Sequence, residues 1–351
     1  MKKRELNFNP NDLHYSGIIG TGGIGTGKFF QLNGSYTLGR EESRSGYFLP
    51  VNDYCKQHII LHYVRVLLGD TFSVIPIGKV GDDEFGNMLL AEMGNTGLIM
   101  DHVSKVAGSS TLFSFCFYYP DGSGGNMTTD NSASSLVDKT SIDDAASKLK
   151  EFGSKGIIMA APEVPLETRK HLIELGKSNG LFCTASFTSE EMPQIMKTGI
   201  ISKIDLLAIN IDEACAIIGC SLEDIQIDSV VEQTINKLCQ YNENITVSIT
   251  AGSKGSWCGS KDSLHFFPSI KTTVKSTAGA GDAFFSGLLC GKVLDLNIEE
   301  AQQLATLIAG LSVQSIHTIH DGIDKDTLRQ FMIESGLSFS DRVIHLLQAN
   351  I

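Results

Sequence analysis

Ser276-Thr277-Ala278-Gly279-Ala280-Gly281-Asp282-Ala283-Phe284-Phe285-Ser286-Gly287 reads as a turn of small residues that opens an apolar helix. Small side chains at 278–281 let successive backbone N–H groups converge on an anion, and the helix behind them adds positive potential. Phosphoryl transfer needs such a hole, because negative charge spreads over the oxygens of the transferred group. Asp282 stands at that end of the helix, placed to accept a proton from an attacking hydroxyl. The plainer alternative is an aspartate that caps a helix after a glycine turn.

Outward from this stretch, apolar runs at Ser16–Gly20, Phe72–Gly78, Gly156–Ala160, Leu181–Thr184, Ile204–Ile209 and Ile245–Thr250 predict buried strands. Helical patterns lie between them at Lys56–Leu68, Phe85–Thr96, Pro165–Ser178 and Asp212–Gly219. Strand and helix alternating at this rate predict a mostly parallel sheet covered on both faces. Internal repeats and low-complexity linkers are not visible, so the chain reads as one domain over 1–351.

Two segments break the alternation. Phe29–Pro50 is polar and Gly-rich without a helical period, and Thr111–Asn131 alternates Phe113, Phe115, Phe117 and Tyr119 before Pro120-Asp121-Gly122. Strand-like inserts near 29–50 and 111–131 are expected to form a small β lid over the site, or else a surface hairpin.

Gly20-Thr21-Gly22-Gly23-Ile24-Gly25 fits a dinucleotide fingerprint, and Gly22 to Lys28 fits the first part of a P-loop. Glu41 and Glu42 sit near the distance of a ribose-binding acid. Both motifs must open a helix, and the following FFQLNGSYTLG does not read as one. Phe29 also stands where a P-loop needs Ser or Thr. Gly22, Gly23 and Gly25 are read instead as a close backbone approach, to a ligand lining the pocket or to another packed segment.

The formal net charge of -12 argues against a nucleic-acid partner. Phosphorylated ligands stay admissible, since backbone amides and magnesium bind phosphate without a basic surface. The basic start MKKR lacks an apolar stretch after it, and no run of ~18 apolar residues suggests a membrane helix. Eight scattered cysteines without a CxxC pair read as reduced thiols, and a cytoplasmic location is expected.

Thr277 to Asp282 closely resembles the T-x-G-A-G-D signature of the PfkB kinases, the family of ribokinase, fructokinase and adenosine kinase. Three further pieces follow in the family's order. Gly78 to Gly86 resembles its G-x-V-G-D-D-x-F-G signature, Asn210-Ile211-Asp212-Glu213 its N-x-x-E motif, and Thr250 to Gly255 its nucleotide-site T-x-G-x-x-G. The resemblance implies a three-layer α/β/α ribokinase-like fold with a mostly parallel central sheet and a small β lid. It implies transfer of the ATP γ-phosphate to a hydroxyl of a small sugar-like or nucleoside-like substrate. Asp282 would be the base and Gly279, Ala280 and Gly281 the anion hole. Thr250, Gly252, Gly255 and Thr277 would bind nucleotide. Asn210 and Glu213 would organise Mg2+, largely through water. Asp82, Asp83 and Glu84 are read as a helix start. A homodimer through the lid is the expected partner, besides substrate and nucleotide.

The substrate end departs from the family's pattern. Its N-x-D after the first strand aligns with Gly23 and Gly25, and its G-G-x-x-x-N with Cys55-Lys56 and Ile60. A small register shift brings in Asn52 or Asp53. The expected substrate is therefore not simple ribose or fructose. Glu163 is a candidate substrate contact, and Arg40 with Arg44 a candidate anion clamp. Ser276 replaces an Asp often found beside a monovalent cation, which leaves potassium open. A non-catalytic ligand-binding protein of the same fold is the alternative function, and a nicotinamide-dependent enzyme a further rival.

Overall fold

Ile18 and Ile19 are adjacent in the chain and belong to two different cores, because successive side chains of a strand point to opposite faces. The computed structural model describes residues 4–34, 39, 41–121, 123–223 and 225–348, and the counts below refer to these. The first half runs β1 (Gly17–Thr21), β2 (Gly25–Leu32), β3 (Gly46–Phe48), β4 (Asp53–Tyr54), α1 (Lys56–Leu68), β5 (Ser73–Gly81), α2 (Glu84–Thr96), β6 (Val103–Val106), β7 (Leu112–Tyr118) and β8 (Gly124–Thr128). It continues through α3 (Lys139–Asp143), α4 (Ala146–Phe152), β9 (Gly156–Ala160), α5 (Leu166–Ser178), β10 (Phe182–Ala185), α6 (Met192–Ile195), β11 (Leu206–Asn210) and α7 (Ile211–Ile218). The last part holds α8 (Ile227–Cys239), β12 (Thr246–Thr250), β13 (Ser256–Ser260), β14 (Ser263–Phe267), α9 (Ala280–Val293), α10 (Ile298–Ser312), α11 (Lys325–Ser335) and α12 (Asp341–Leu347).

Nine described strands form the central sheet in the order β14-β13-β12-β11-β10-β9-β1-β5-β6. Its pairs are parallel from β6 to β12, and β13 and β14 close one edge as an antiparallel hairpin. Strand parity sorts the layers. Ile18, Ile157 and Met159 pack with α1, α9 and α10, whereas Ile19, Ile158 and Ala160 pack with α5, α7 and α8. Helices on both faces make the strands apolar throughout, which is why they are legible as runs rather than as alternations.

The helix α1 shows how the core holds. Ile59, Ile60, Tyr63, Val64, Leu67 and Leu68 are each at most 2% exposed and share its inner side. Each such Ile or Leu contributes about 1.5–3 kcal/mol by leaving water. Gly69 ends it at φ 71, with its N–H donating to Arg65 O. At the start of α2, the Asp83 carboxylate accepts from Gly86 N–H at 2.8 Å, the helix-start role read from Asp82-Asp83-Glu84.

The two inserts form a second sheet of five described strands, β3-β2-β7-β8 with β4 on β2. The glycine cluster after β1 opens β2, a strand, so the helix that a dinucleotide site or P-loop requires is not there. In β7 the alternation divides by face. Ser114, Cys116 and Tyr118 line a cavity. Phe115 turns the other way, 6.0 Å from Phe30 and 6.3 Å from Phe48 between ring centres. The short strands β6, β13 and β14 lay outside the sequence reading. β6 and β14 are partly exposed edge strands without an apolar run.

Candidate active site

The sheet order reverses between β1 and β9: from β1 the chain proceeds to β5 on one side, and from β9 through β10, β11 and β12 on the other. Ligands of open α/β sheets bind outside the carboxyl ends of the strands at such a point. A cavity of about 460 Å³ lies there, roofed by β7 and β8 and floored by the first turns of α1 and α9.

Asp282 is the third residue of α9 and lines the cavity with Ala278 and Gly279. Gly279 caps α9 at φ 80, and a Cβ there would stand 2.6 Å from Thr318 O, so conformation and space both require glycine. Ala280 N–H folds back to Thr277 O at 3.2 Å, and Ala283 N–H makes the first helical bond to Gly279 O. The amides of Gly281 and Asp282 are left without intrahelical partners, as in any first turn. Around Gly281 there is open space.

Lys56 begins α1, and its Nζ is 3.8 Å from Asp282 Oδ1. Burial pushes the Asp282 carboxyl above the ordinary aspartate range, with Lys56 opposing the shift. The attraction of Asp282 pushes Lys56 up, outweighing its own burial. The two directions differ in kind: for Asp282 desolvation dominates, for Lys56 the ion pair. Both side chains keep partial solvent contact, 16% and 33%, so the pair is a modest electrostatic bond rather than a dry one.

Glu163 follows β9 and holds the uncommon φ of 76. It lines the cavity, and its Oε2 is buried without a hydrogen-bond partner. Burial, opposed by Lys56, pushes its carboxyl up to about 7. Strain and an unsatisfied carboxylate oxygen in one residue mark a place where packing is not the only constraint.

Gly22, Gly23 and Gly25 are not among the residues lining the cavity. They lie one layer behind it. A Cβ on Gly22 would meet Ala161, one on Gly23 would meet Glu163, and one on Gly25 would meet Leu112 and Cys55. Of the two readings of this turn, packing of another segment is the one its surroundings fit. Asn210 and Glu213 form a reciprocal cap on α7, Asn210 N–H to Glu213 Oε2 and Glu213 N–H to Asn210 Oδ1, both 2.8 Å. Burial pushes Glu213 up, with Lys56 opposing and Asp282 adding to it, so this carboxylate is within electrostatic reach of the cavity floor. Thr250 faces Asn210 across the β11–β12 register. Gly252 (φ 53) and Gly255 (φ 105) shape the β12–β13 turn beyond it. Thr277 is exposed at the mouth of the α9 turn. Neither these four residues nor Asn210 line the cavity itself.

Of the lining residues, Asp53 is one that the register shift brings in, whereas Tyr54, Ser114 and Thr318 have no place in the sequence reading. Ile60, aligned with the family's Asn, is in the core at 0% exposure, and the cavity instead receives Asp53, Tyr54, Cys55 and Lys56 from the preceding turn. The displaced alignment around Cys55-Lys56 was the available signal. Ser114 was hidden among aromatics, and Thr318, donated by the loop after α10, carried none. Arg44 pairs with Glu42 at 2.9 Å and is not a lining residue. Arg40 lies outside the described residues. No helix of the described residues is long and apolar enough to cross a membrane.

The family model "pfkB family carbohydrate kinase" matches residues 64–326. A deoxyribokinase of Salmonella typhi is 25% identical over 246 residues, which cover 69% of this chain and 76% of that protein. A ribokinase of Lactococcus lactis is 24% identical over 245 residues, covering 69% and 73%. The solved ribokinase of Arabidopsis thaliana, complexed with ribose and ATP, superposes with a TM-score of 0.71 at 18% identity, covering 92% of this chain and all (100%) of that one.

Proposed function

Because the chain belongs to the pfkB family of carbohydrate kinases, we propose that it moves the γ-phosphate of ATP to a hydroxyl of a small sugar-like or nucleoside-like molecule, with Asp282 as the base. The observation behind this is Asp282 itself, on the cavity floor at the start of α9 beside two amides without helical partners. A hydroxyl bound in the cavity loses its proton to Asp282 as it attacks. Gly281 and its neighbours Gly279 and Ala280 hold the equatorial oxygens of the passing phosphoryl group. Lys56 favours the ionised form of Asp282 before the proton arrives. The non-catalytic alternative would not need this combination.

Thr250, Gly252, Gly255 and Thr277 are the proposed nucleotide contacts, beside the sheet ends and the α9 turn. Glu213 fits a hydrated Mg2+: its Oε2 is held by the Asn210 amide, which orients the second oxygen, and no group of three or more ligating side chains among the described residues offers a rival cage. Mg2+ there would neutralise charge on the nucleotide phosphates. Glu163 and the lid strands would hold the substrate, and simple ribose and fructose are expected to be poor ones. The outward face of the lid, with Phe48 59% and Met127 57% exposed, supports a homodimer through it.

Asp282→Asn tests the assignment. Turnover should fall by roughly 10²–10⁴, while the circular dichroism spectrum and ATP binding stay unchanged. Near-normal turnover would remove Asp282 from its role.

A further inference from the structure

Asp53 is a carboxylate for which phosphoryl transfer has no use, yet three strands are built around it. It is 7% exposed and lines the cavity. In the β2–β4 pair Asp53 stands opposite Gly27, and in the β2–β7 pair Gly27 stands beside Ser114. Any Cβ on Gly27 would overlap both Asp53 Oδ2 and Ser114 Oγ, so the glycine leaves the space those two polar groups share. Ser114 Oγ donates to Asp53 Oδ2 at 2.7 Å. The Thr318 hydroxyl lies beside the same carboxylate and accepts from the Tyr54 amide at 2.9 Å.

An ionised carboxylate offers about four acceptor positions. Ser114 Oγ holds one oxygen of this carboxylate in place, and acceptor positions remain for a ligand. Buried acceptors held in this way discriminate strongly, because a ligand lacking the matching donor leaves them unpaired. The surrounding charge narrows the class further. Asp53, Glu163 and Asp282 line one cavity against Lys56, which is already engaged by Asp282. A phosphate or carboxylate on the substrate would enter a partly desolvated space beside three acids.

We propose that Asp53 selects the substrate: it accepts a hydrogen bond from one hydroxyl of a neutral polyhydroxy compound whose other hydroxyl reaches Asp282, and sugar phosphates and sugar acids are turned away. This deepens the phosphotransfer reading and rests on it.

Calorimetric titration without nucleotide tests the proposal. The neutral probes are D-ribose, 2-deoxy-D-ribose, D-fructose, myo-inositol and inosine. The charged probes are ribose 5-phosphate, fructose 6-phosphate and gluconate. At least one neutral probe should bind, and more tightly than every charged one. Asp53→Ala should raise its Kd roughly ten- to hundredfold, the scale of a hydrogen bond to a charged group. Ser114→Ala, which loosens the carboxylate without removing it, should shift Kd in the same direction by less, and serves if Asp53→Ala does not fold. An unchanged Kd in both variants, a charged probe binding best, or no neutral probe binding overturns the proposal. Addition of MgATP separates the two readings: selective binding without transfer counts against phosphotransfer, and transfer to an anionic acceptor counts against the role of Asp53.

Discussion

Lys56 Nζ lies 3.8 Å from Asp282 Oδ1, joining the first turn of α1 to the first turn of α9 by opposite charges. A cation at a helix N-terminus is unfavourable by itself, and an anion there is favourable. Lys56 is therefore held at the start of α1 by what it faces: Asp282 first, then Glu213 and Glu163.

Lys56→Met should follow from this arrangement. Without the ammonium, burial acts on Asp282 unopposed and its carboxyl rises further. A base must be deprotonated to act, so the acid limb of the kcat/KM profile should move to higher pH, while Lys56→Arg keeps it near its place. A limb that does not move in Lys56→Met would show that the lysine does not govern the base.

Gly279 and Gly281 should separate conformation from chemistry. Gly281→Val meets open space and should leave the melting temperature nearly unchanged while abolishing phosphoryl transfer. Gly279→Val would need φ 80 and would press on Thr318 O, costing about 1–3 kcal/mol from backbone strain alone. Thermal melts of the two variants side by side check the contrast. Equal destabilisation would mean that Gly281 also serves the fold.

Glu163→Gln should alter stability with a definite sign. The folded-state value of Glu163, about 7, lies above its ordinary 4.5. Its contribution to stability is therefore fully present below about 4.5 and is lost as pH rises through about 7. Between those limits the wild type should lose melting temperature relative to Glu163→Gln. At pH 8 the glutamine variant should be the more stable, each tenfold change in proton affinity corresponding to about 1.4 kcal/mol. A difference between the two proteins that is independent of pH would contradict the assignment.

Phe48→Glu should test the lid face. Phe48 is 59% exposed and packs edge-on against Phe30, with 5.1 Å between ring centres. If the outward face pairs with a second copy, the substitution should convert a dimer to a monomer in sedimentation velocity. A wild type that sediments as a monomer at micromolar concentration removes the dimer.

The sequence by itself determined the framework. Apolar runs such as Gly156–Ala160 and the periodic helix at Lys56–Leu68 signal locally, because burial on both faces of a strand, or on one side of a helix, shows in neighbouring residues. The turn at 276–282 and the Asn210–Glu213 cap were legible for the same reason, since each is closed by atoms at most a few residues apart. Only the tertiary structure decided what the cavity contains. Asp53 meets Ser114 across 61 positions, and the Tyr54 amide meets the Thr318 hydroxyl across 264. It also set Gly22 against Ala161, Gly23 against Glu163 and Gly25 against Leu112 and Cys55, and none of the three lines the cavity. Such meetings depend on strand register, where a shift of one residue turns every side chain to the other face. No local period in the chain records that choice; the pairing of Gly27 with Asp53 on one side and Ser114 on the other makes it.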